Sequence, residues 1–313
     1  MMESTRLKGG RRLSFSGKKT LSSFMEVSIA SLKRSGKLRT SETYMTTFSS
    51  FMKFMKEKDI LLSNLDSDLM VAYEAHLKER GVSLNTISFY MRILRATYNR
   101  AVEKGITRQR YPFKHVYTGI EKTVKRAVAF KVIKQIKEID LSYNSSLEYA
   151  RDMFLFSFYT RGMSFIDMAY LKKTDLENGA LAYRRKKTGQ LLSIKWESCM
   201  QDIVDKYSVK KSPYLLPIIE NGVKDERKQY KSVICFVNRK LKEIGKMLEL
   251  PHALTMYVAR HSWASIAKEK NIPVSIISEG MGHDSEKTTL IYLASLDTTV
   301  VDNANMLILN DLL

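Results

Sequence analysis

Near the end of the chain stands the segment Gly282-His283-Asp284-Ser285-Glu286-Lys287-Thr288-Thr289-Leu290-Ile291-Tyr292, about twenty residues beyond an Arg260-His261 pair. The two segments bring a phenol, an imidazole and a guanidinium, three groups that can act on one phosphate. A tyrosine hydroxyl has a pKa of about 10 and is a poor nucleophile at neutral pH. It becomes effective where cations stabilise the charge on a phosphorus centre and another group protonates the leaving oxygen.

The composition indicates a globular protein that binds polyphosphate. The chain has 313 residues, of which 44% are hydrophobic, enough for two domains with two cores. Lys and Arg total 52 against 33 Asp and Glu, which gives a formal charge of +19. Such an excess is typical of nucleic-acid-binding proteins, although solvated lysine faces are the ordinary alternative. We therefore expect the phosphate that this protein acts on to belong to a nucleic-acid backbone.

Cysteine usage and hydropathy exclude several protein classes. Cys199 and Cys235 are too few for a disulfide framework, and neither has the spacing of a paired metal ligand. We therefore expect a reducing, cytoplasmic compartment. No apolar run approaches the roughly twenty residues that cross a bilayer, and the N-terminus lacks the apolar core of a signal peptide. Residues 1–19 carry six basic side chains among Ser and Gly, typical of a flexible basic arm.

Residues 20–105 show apolar side chains at helical spacing, with no alternating stretch that would indicate strands. The pattern predicts a helix capped by Thr40 or Ser41, a second over 66–80 and a third capped by Ser83. A polar stripe follows the apolar stripe along the third helix. It is a candidate DNA-facing surface, with an ordinary solvated face as the alternative, and its members are Ser88, Arg92, Arg95 and Asn99.

The helical pattern lapses over residues 106–125, where Pro112 and Gly119 indicate a linker between two domains. Residues 181–196 have the character of a hairpin, with Lys187 at its turn. The expected fold is therefore mainly α with one small β-sheet. Further helices are expected over 132–139, 147–159 (almost wholly apolar and therefore buried), 164–171 (begun by a capping box of Ser164 and Asp167) and 230–248, and after Thr255, Pro273 and Asp284 or Ser285.

A DNA phosphodiester can be cut without water or metal if an enzyme hydroxyl displaces one oxygen and keeps the strand end as a covalent ester. Because the ester preserves the energy of the bond, the strand can be rejoined without ATP. The reaction needs an acceptor hydroxyl, cations on the non-bridging oxygens and a proton for the departing sugar oxygen. Arginine suits the cation role, since its fork donates two hydrogen bonds and stays charged. We expect no cofactor, no metal and no small-molecule substrate.

Three motifs, in order, resemble those of the tyrosine recombinases, also called the phage integrase family. The run Ala259-Arg260-His261-Ser262-Trp263-Ala264 resembles the second arginine box, and Met281-Gly282-His283 followed nine residues later by Tyr292 resembles the histidine and nucleophile box. Lys187 in Lys-Thr-Gly resembles the hairpin lysine. The resemblance implies a helical, SAM-like core-binding domain over 20–105 and an α+β catalytic domain over 126–305, which together would clamp double-stranded DNA.

The same resemblance implies a role for each matching residue. Tyr292 would form a 3′-phosphotyrosyl bond, Arg260 would bind the scissile phosphate and His283 would donate a hydrogen bond to it. Lys187 would protonate the leaving 5′ oxygen from the minor groove. A homotetramer on two specific DNA sites in the bacterial nucleoid is also implied. The apolar tail 306–313 would then dock on a neighbouring protomer, with packing on its own domain as the alternative.

Two positions depart from the family pattern. Ser164 stands where the first arginine is usual, and we expect Arg161, about one helical turn earlier, to reach the same phosphate. Tyr257 stands where a histidine usually precedes the second arginine. A phenol can position a phosphate oxygen but is a poor base, and His252 and His261 are nearby alternatives. Similar departures are typical of integrase-type recombinases from Bacteroides-like bacteria, including enzymes that invert DNA segments.

Two other functions stay open from these residues. A DNA-binding protein that kept the fold and lost activity would explain Ser164 and Tyr257. A type IB topoisomerase would share the tyrosine chemistry without a need for paired sites. The retained Tyr292 and Arg260 favour a recombinase that integrates, excises or inverts a DNA segment. No recognisable arm-binding domain precedes Thr20, which favours a simple recombinase such as an invertase.

Overall fold

The computed structural model describes residues 19–121, 126–208, 210–220 and 222–293, together with Met306 and Leu309. At Ile291 and Tyr292 it describes the backbone only. The chain divides into two compact units, Met1–Thr123 and Val124–Leu313. Each unit has a hydrophobic core of its own.

The described part of the first unit is wholly helical, as predicted. Large side chains from all of its α-helices are buried in one core, among them Phe24, Phe51, Tyr73 and Tyr98. The unit therefore buries one apolar stripe from each helix. Its elements are α1 (Leu21–Arg34), α2 (Leu38–Phe54), a 3-10 turn (Leu62–Asn64), α3 (Ser67–Glu79) and α4 (Leu84–Glu103).

The helix starts in this unit follow the sequence in part. Asp66 caps α3 with its carboxylate. Helix α4 begins directly after Ser83, but the prediction that Ser83 caps it is wrong, because its hydroxyl lies 2.9 Å from the Thr86 hydroxyl and makes no capping bond to a backbone N–H. The prediction that Thr40 or Ser41 caps α2 is wrong, because α2 already begins at Leu38. Ser41 lies inside the helix, where its hydroxyl donates to the Leu38 carbonyl at 2.7 Å. The turn that ends α1 leads directly into α2, so Ser41 falls within the first turn of the helix. Its hydroxyl there bonds a helix carbonyl and caps no backbone N–H.

Much of the segment predicted as a linker packs against the first unit. Phe113 and Val116 belong to its core. The Tyr117 N–H donates to the buried Glu74 carboxylate at 2.9 Å. The Tyr98 hydroxyl donates to a carbonyl of the same segment at 2.8 Å. These contacts attach residues 108–117 to α3 and α4.

The second unit combines helices with one small antiparallel sheet in the order β1-β2-β3. Its strands are β1 (Leu176–Glu177), β2 (Ala180–Arg184) and β3 (Leu191–Lys195). Strands β2 and β3 form the predicted hairpin, and Lys187 lies in the turn between them. The expectation of a mainly helical fold with one small sheet is confirmed.

Helix α6 is the centre of the second unit. Met153, Phe154 and Phe156 are fully buried, which confirms the prediction that this apolar helix is buried. It packs against both α9 and α10. None of the described helices is long and apolar enough to cross a membrane. The helices of this unit are α5 (Phe130–Glu138), α6 (Ser145–Tyr159), α7 (Phe165–Ala169), α8 (Ser198–Tyr207), α9 (Glu226–Met247), α10 (Met256–Glu269), α11 (Val274–Gly280) and α12 (Glu286–Leu293).

Candidate active site

Arg260 lies in the second turn of α10 and is only 5% exposed. Its guanidinium donates to the Gly162 carbonyl at 2.7 Å and to the Met281 carbonyl at 2.8 Å, and it contacts His283 Nε2 at 2.9 Å. Gly162 has a positive φ of 71°, and a Cβ atom there would stand 2.7 Å from the Arg260 Cα. Only glycine fits so close an approach in this conformation. The site therefore depends on the turn after α6.

His283 lies between Arg260 and α12. Its Nε2 faces the arginine, and its Nδ1 is 2.8 Å from the Thr289 hydroxyl. Burial, together with the positive charges of Arg260, Arg185 and Lys187, lowers the pKa of His283 to about 4. The imidazole is therefore neutral at neutral pH.

Helix α12 carries Tyr292 in its last turn, as the sequence predicted, while the phenol itself lies outside the described residues. The Ser285 hydroxyl accepts from the Lys287 N–H at 3.2 Å and so caps the start of the helix. At its end, the Lys268 ammonium donates to the Leu293 carbonyl at 3.0 Å. Leu293 packs with apolar side chains of α10 and α11 in a small separate core. The helix that bears the tyrosine is thus seated on its own chain.

The hairpin turn places two adjacent lysines in different surroundings. The Lys186 ammonium lies over the Tyr170 ring, 4.2 Å from its centroid. Lys187 is exposed, and its charge contributes to the lowered pKa of His283. Of the two, Lys187 is therefore the one whose charge acts on the Arg260–His283 pair.

Arg161 occupies the turn between α6 and α7 with a positive φ of 60°. Its guanidinium donates to the Ser193 carbonyl on β3 at 3.3 Å, and the next residue, Gly162, is the one that accepts from Arg260. The Ser164 hydroxyl is 2.5 Å from the Asp167 carboxylate, so it bonds a side chain instead of a backbone N–H. The predicted capping box at this helix start is therefore wrong, although α7 does begin after Ser164.

Arg185 is a further site residue that the sequence analysis missed. It is buried just beyond β2, and its guanidinium donates to the Gly282 carbonyl and lies 4.0 Å from the buried Asp167 carboxylate. It thereby connects the hairpin to the glycine that precedes His283. The strand pattern carried the signal, because Leu181 and Tyr183 face inward and the alternation continues to residue 185.

Tyr257 is 57% exposed on α10, one turn before Arg260. Its ring packs edge-on against His261, with 4.2 Å between the ring centroids. His252 is exposed in the segment before the helix. The structure therefore pairs Tyr257 with one of the two nearby histidines. No group of three His, Cys, Asp or Glu side chains in the described ranges could hold a metal ion.

The polar stripe on α4 needs one correction. Ser88 is only 2% exposed, and its hydroxyl donates to the Gly119 carbonyl at 2.6 Å, because the following segment folds back over this part of the helix. Arg92, Arg95 and Asn99 are exposed. The Arg95 guanidinium also lies 3.4 Å from the Thr118 hydroxyl. The solvent-facing part of the stripe is therefore shorter than the sequence indicated.

The two chain ends fall largely outside the described residues. Residues 1–18 of the predicted basic arm lie outside the described residues, and so do the internal residues 122–125 of the predicted linker. In the predicted docking tail over 306–313 the structure describes Met306 and Leu309, and both are exposed.

The first unit is helical, and the second brings a lysine-bearing hairpin, a buried arginine and a histidine close to the helix of Tyr292. The family model for the phage integrase SAM-like domain matches residues 20–117. Tyrosine recombinase XerA from Pyrococcus furiosus is 27% identical over 243 residues, which cover 74% of this chain and 79% of the relative. The chain is therefore similar to the tyrosine recombinases, also called the phage integrase family.

Solved structures show the same fold. A lambda integrase tetramer bound to a Holliday junction superimposes with a TM-score of 0.65 at 16% identity, over 88% of this chain and 78% of that chain. The Tn1549 transposon integrase in complex with a circular intermediate DNA gives a TM-score of 0.62 at 16% identity, over 90% and 98% of the two chains.

Proposed function

We propose that this protein is a site-specific recombinase, which cuts and rejoins double-stranded DNA through a covalent 3′-phosphotyrosyl intermediate. One observation carries the proposal: Arg260, His283 and Thr289 form a continuous hydrogen-bonded chain that ends on α12, the helix of Tyr292. A phosphate-binding cation is thereby linked to the element that presents the nucleophile. The sequence match to the XerA recombinase supports the same conclusion.

In the proposed reaction the Tyr292 oxygen attacks the scissile phosphorus, and the bond from phosphorus to the 5′ oxygen breaks. The tyrosine releases its proton to water, and Lys187 supplies one to the departing 5′ oxygen. Arg260 and His283 donate hydrogen bonds to the non-bridging oxygens, on which negative charge increases in the transition state. Attack by another 5′ hydroxyl on the phosphotyrosine reverses these steps and joins new strands.

The electrostatics of the site suit a phosphate. Arg161, Arg185 and Arg260 all act on the buried Tyr183 phenol, and Lys187 and two of these arginines act on His283. Several positive charges therefore converge on a small, partly buried volume, where charge interactions are stronger than in water. Tyr257 would position a phosphate oxygen with its hydroxyl. Since most DNA affinity would come from phosphates, binding should weaken as salt increases.

The assembly we propose is a homotetramer on two specific DNA sites in the bacterial cytoplasm. The lambda integrase structure is itself a tetramer on a Holliday junction. Residues 20–105 would form the core-binding domain and 126–305 the catalytic domain, with Arg92, Arg95 and Asn99 facing DNA. The tail 306–313 would contact a neighbouring protomer.

A nicked suicide substrate tests the chemistry. The wild-type protein should trap a covalent protein–DNA adduct, whereas Tyr292→Phe should trap none, because it lacks the attacking oxygen. Tyr143→Phe, at an exposed tyrosine of the same unit, is the matched control and should behave as wild type. EDTA should leave the adduct yield unchanged. An adduct that persists in Tyr292→Phe would refute the assignment, and strand exchange without paired sites would indicate a relaxing enzyme instead.

A further inference from the structure

Thr289 is a fully buried polar residue on the helix of the proposed nucleophile. Its side chain is 0% exposed, and its hydroxyl oxygen lies 2.8 Å from His283 Nδ1. Thr289 precedes Tyr292 by three residues, so the two residues lie about one turn apart on α12. A threonine in this place connects the nucleophile helix to the histidine.

The partners of His283 determine where its proton lies. Arg260 Nη2 is 2.9 Å from His283 Nε2, and a guanidinium has donors but no acceptor. His283 Nε2 must therefore accept, which leaves the proton of the neutral ring on Nδ1. The Thr289 hydroxyl is then the acceptor of the Nδ1–H. In this state the histidine cannot donate a hydrogen bond from Nε2.

A phosphate in the site requires the opposite arrangement. To donate to a phosphate oxygen, His283 must carry a proton on Nε2. A doubly protonated ring would add a positive charge beside Arg260, Arg185 and Lys187, all of which already disfavour it. The neutral ring can instead move its proton to Nε2, provided that a hydrogen-bond donor meets the bare Nδ1. A hydroxyl can serve both states, since it either accepts or donates.

We propose that Thr289 is a positioning residue that sets the tautomer of His283. In the DNA-free protein its hydroxyl accepts from Nδ1–H; with a phosphate bound it donates to Nδ1 while Nε2–H donates to the phosphate. One proton changes place: Nδ1 releases a proton to water and Nε2 takes one from water, so the ring stays neutral. The DNA-bound half of this inference rests on the proposed function, whereas the DNA-free half does not.

The arrangement has a consequence for when the site becomes active. Thr289 contacts His283 only while α12 packs against α10 and α11. Leu293 in the small core and the hydrogen bond from Lys268 stabilise that packing. Movement of α12 would remove the nucleophile and the Nδ1 partner together. His283 can therefore donate to a phosphate efficiently only when Tyr292 is in place.

Two substitutions isolate the hydroxyl. Thr289→Val keeps the shape and removes the oxygen, while Thr289→Ser keeps the oxygen. Thr288→Val, at the partly buried neighbour, is the control for an added valine on this helix. The wild type and these three variants would be labelled with ¹⁵N-histidine and studied by long-range ¹⁵N–¹H correlation at pH 7 without DNA. The spectrum of His283→Gln would assign the His283 signal.

Wild type, Thr289→Ser and Thr288→Val should show His283 with the proton on Nδ1, and Thr289→Val should show a tautomer mixture. A wild-type ring protonated on Nε2, or an unchanged tautomer in Thr289→Val, would overturn the inference. With the suicide substrate, Thr289→Val should form adduct about 10- to 100-fold more slowly at unchanged DNA affinity, and Thr289→Ser should stay within about threefold of wild type. A wild-type protein that forms no adduct would refute the proposed function alone, whereas equal rates for wild type and Thr289→Val would refute the role of Thr289 alone.

Discussion

Substitution of Gly162 by alanine should displace Arg260, although Arg260 itself is not substituted. Gly162 has a φ of 71°, and an added Cβ would stand 2.7 Å from the Arg260 Cα and 3.0 Å from its Cγ. The backbone atom cannot rotate away, so α10 and the turn after α6 must separate. That movement would also weaken the 2.7 Å hydrogen bond from the guanidinium to the Gly162 carbonyl.

The expected cost has two parts. A left-handed conformation at a residue with a Cβ costs ~1–2 kcal/mol. Overpacking in a closely packed region adds ~1–3 kcal/mol, so the free energy of unfolding should fall by ~2–5 kcal/mol in all. Gly179 separates the two parts, because its φ is 73° and a Cβ there would meet nothing within 4 Å. Gly179→Ala should therefore lose only the first part.

Urea unfolding of the two variants measures this difference, and the suicide substrate measures its effect on the site. Gly162→Ala should be less stable than Gly179→Ala by ~1–3 kcal/mol and should form adduct much more slowly. Gly179→Ala should cleave as wild type does. Equal stability of the two variants, or full cleavage by a folded Gly162→Ala, would refute the reasoning that the close approach at Gly162 positions Arg260.

Three further predictions concern the charges of the site. Arg161→Ala should slow adduct formation by about 100-fold and change DNA affinity much less, because it would remove one donor to the transition state; unchanged cleavage would exclude Arg161 from the site. By contrast, Arg185→Met should lower stability by ~3 kcal/mol, because the buried Asp167 would lose its cation, and near-normal stability would contradict that role. The pKa of His283 is lowered to about 4 in the folded protein, whereas in the unfolded chain it is about 6.5. As the pH falls below about 6.5, the unfolded chain therefore binds a proton that the folded protein does not, and the free energy of unfolding decreases. Between pH 7 and 5 the wild type should therefore lose about 1 kcal/mol more stability than His283→Gln, after allowance for solvent screening, and parallel pH profiles would contradict the shift.

Local patterns in the sequence predicted the elements that carry the site. An apolar run located α6, the helix-start residues Asp284 and Ser285 located α12, and the change in pattern over 181–196 located the hairpin with Lys187 at its turn. The helix predicted over 66–80 corresponds to α3, because its bounds depend only on residues close to each end. Such patterns depend on neighbours along the chain, so one sequence is enough to read them.

The failures involve residues whose partners are distant in the sequence. Ser41 was read as a cap, although the preceding turn had already started α2. Ser88 was read as solvent-facing, although a segment about thirty residues later covers it. Arg185 was missed because its partner, Gly282, lies on a different element. Thr289 belongs to the motif around Tyr292, but nothing in its spacing indicates that it contacts His283.

The sequence by itself determined which chemical groups this protein has, their order, and the helices and hairpin that present them, because these follow from residue type and local periodicity. Only the tertiary structure decided that Arg260 is held by two backbone carbonyls, that Arg185 joins the hairpin to Gly282, and that His283 lies between Arg260 and Thr289. These contacts set charge and proton position. They arise from packing between elements far apart in the chain, which leaves no local pattern in the sequence.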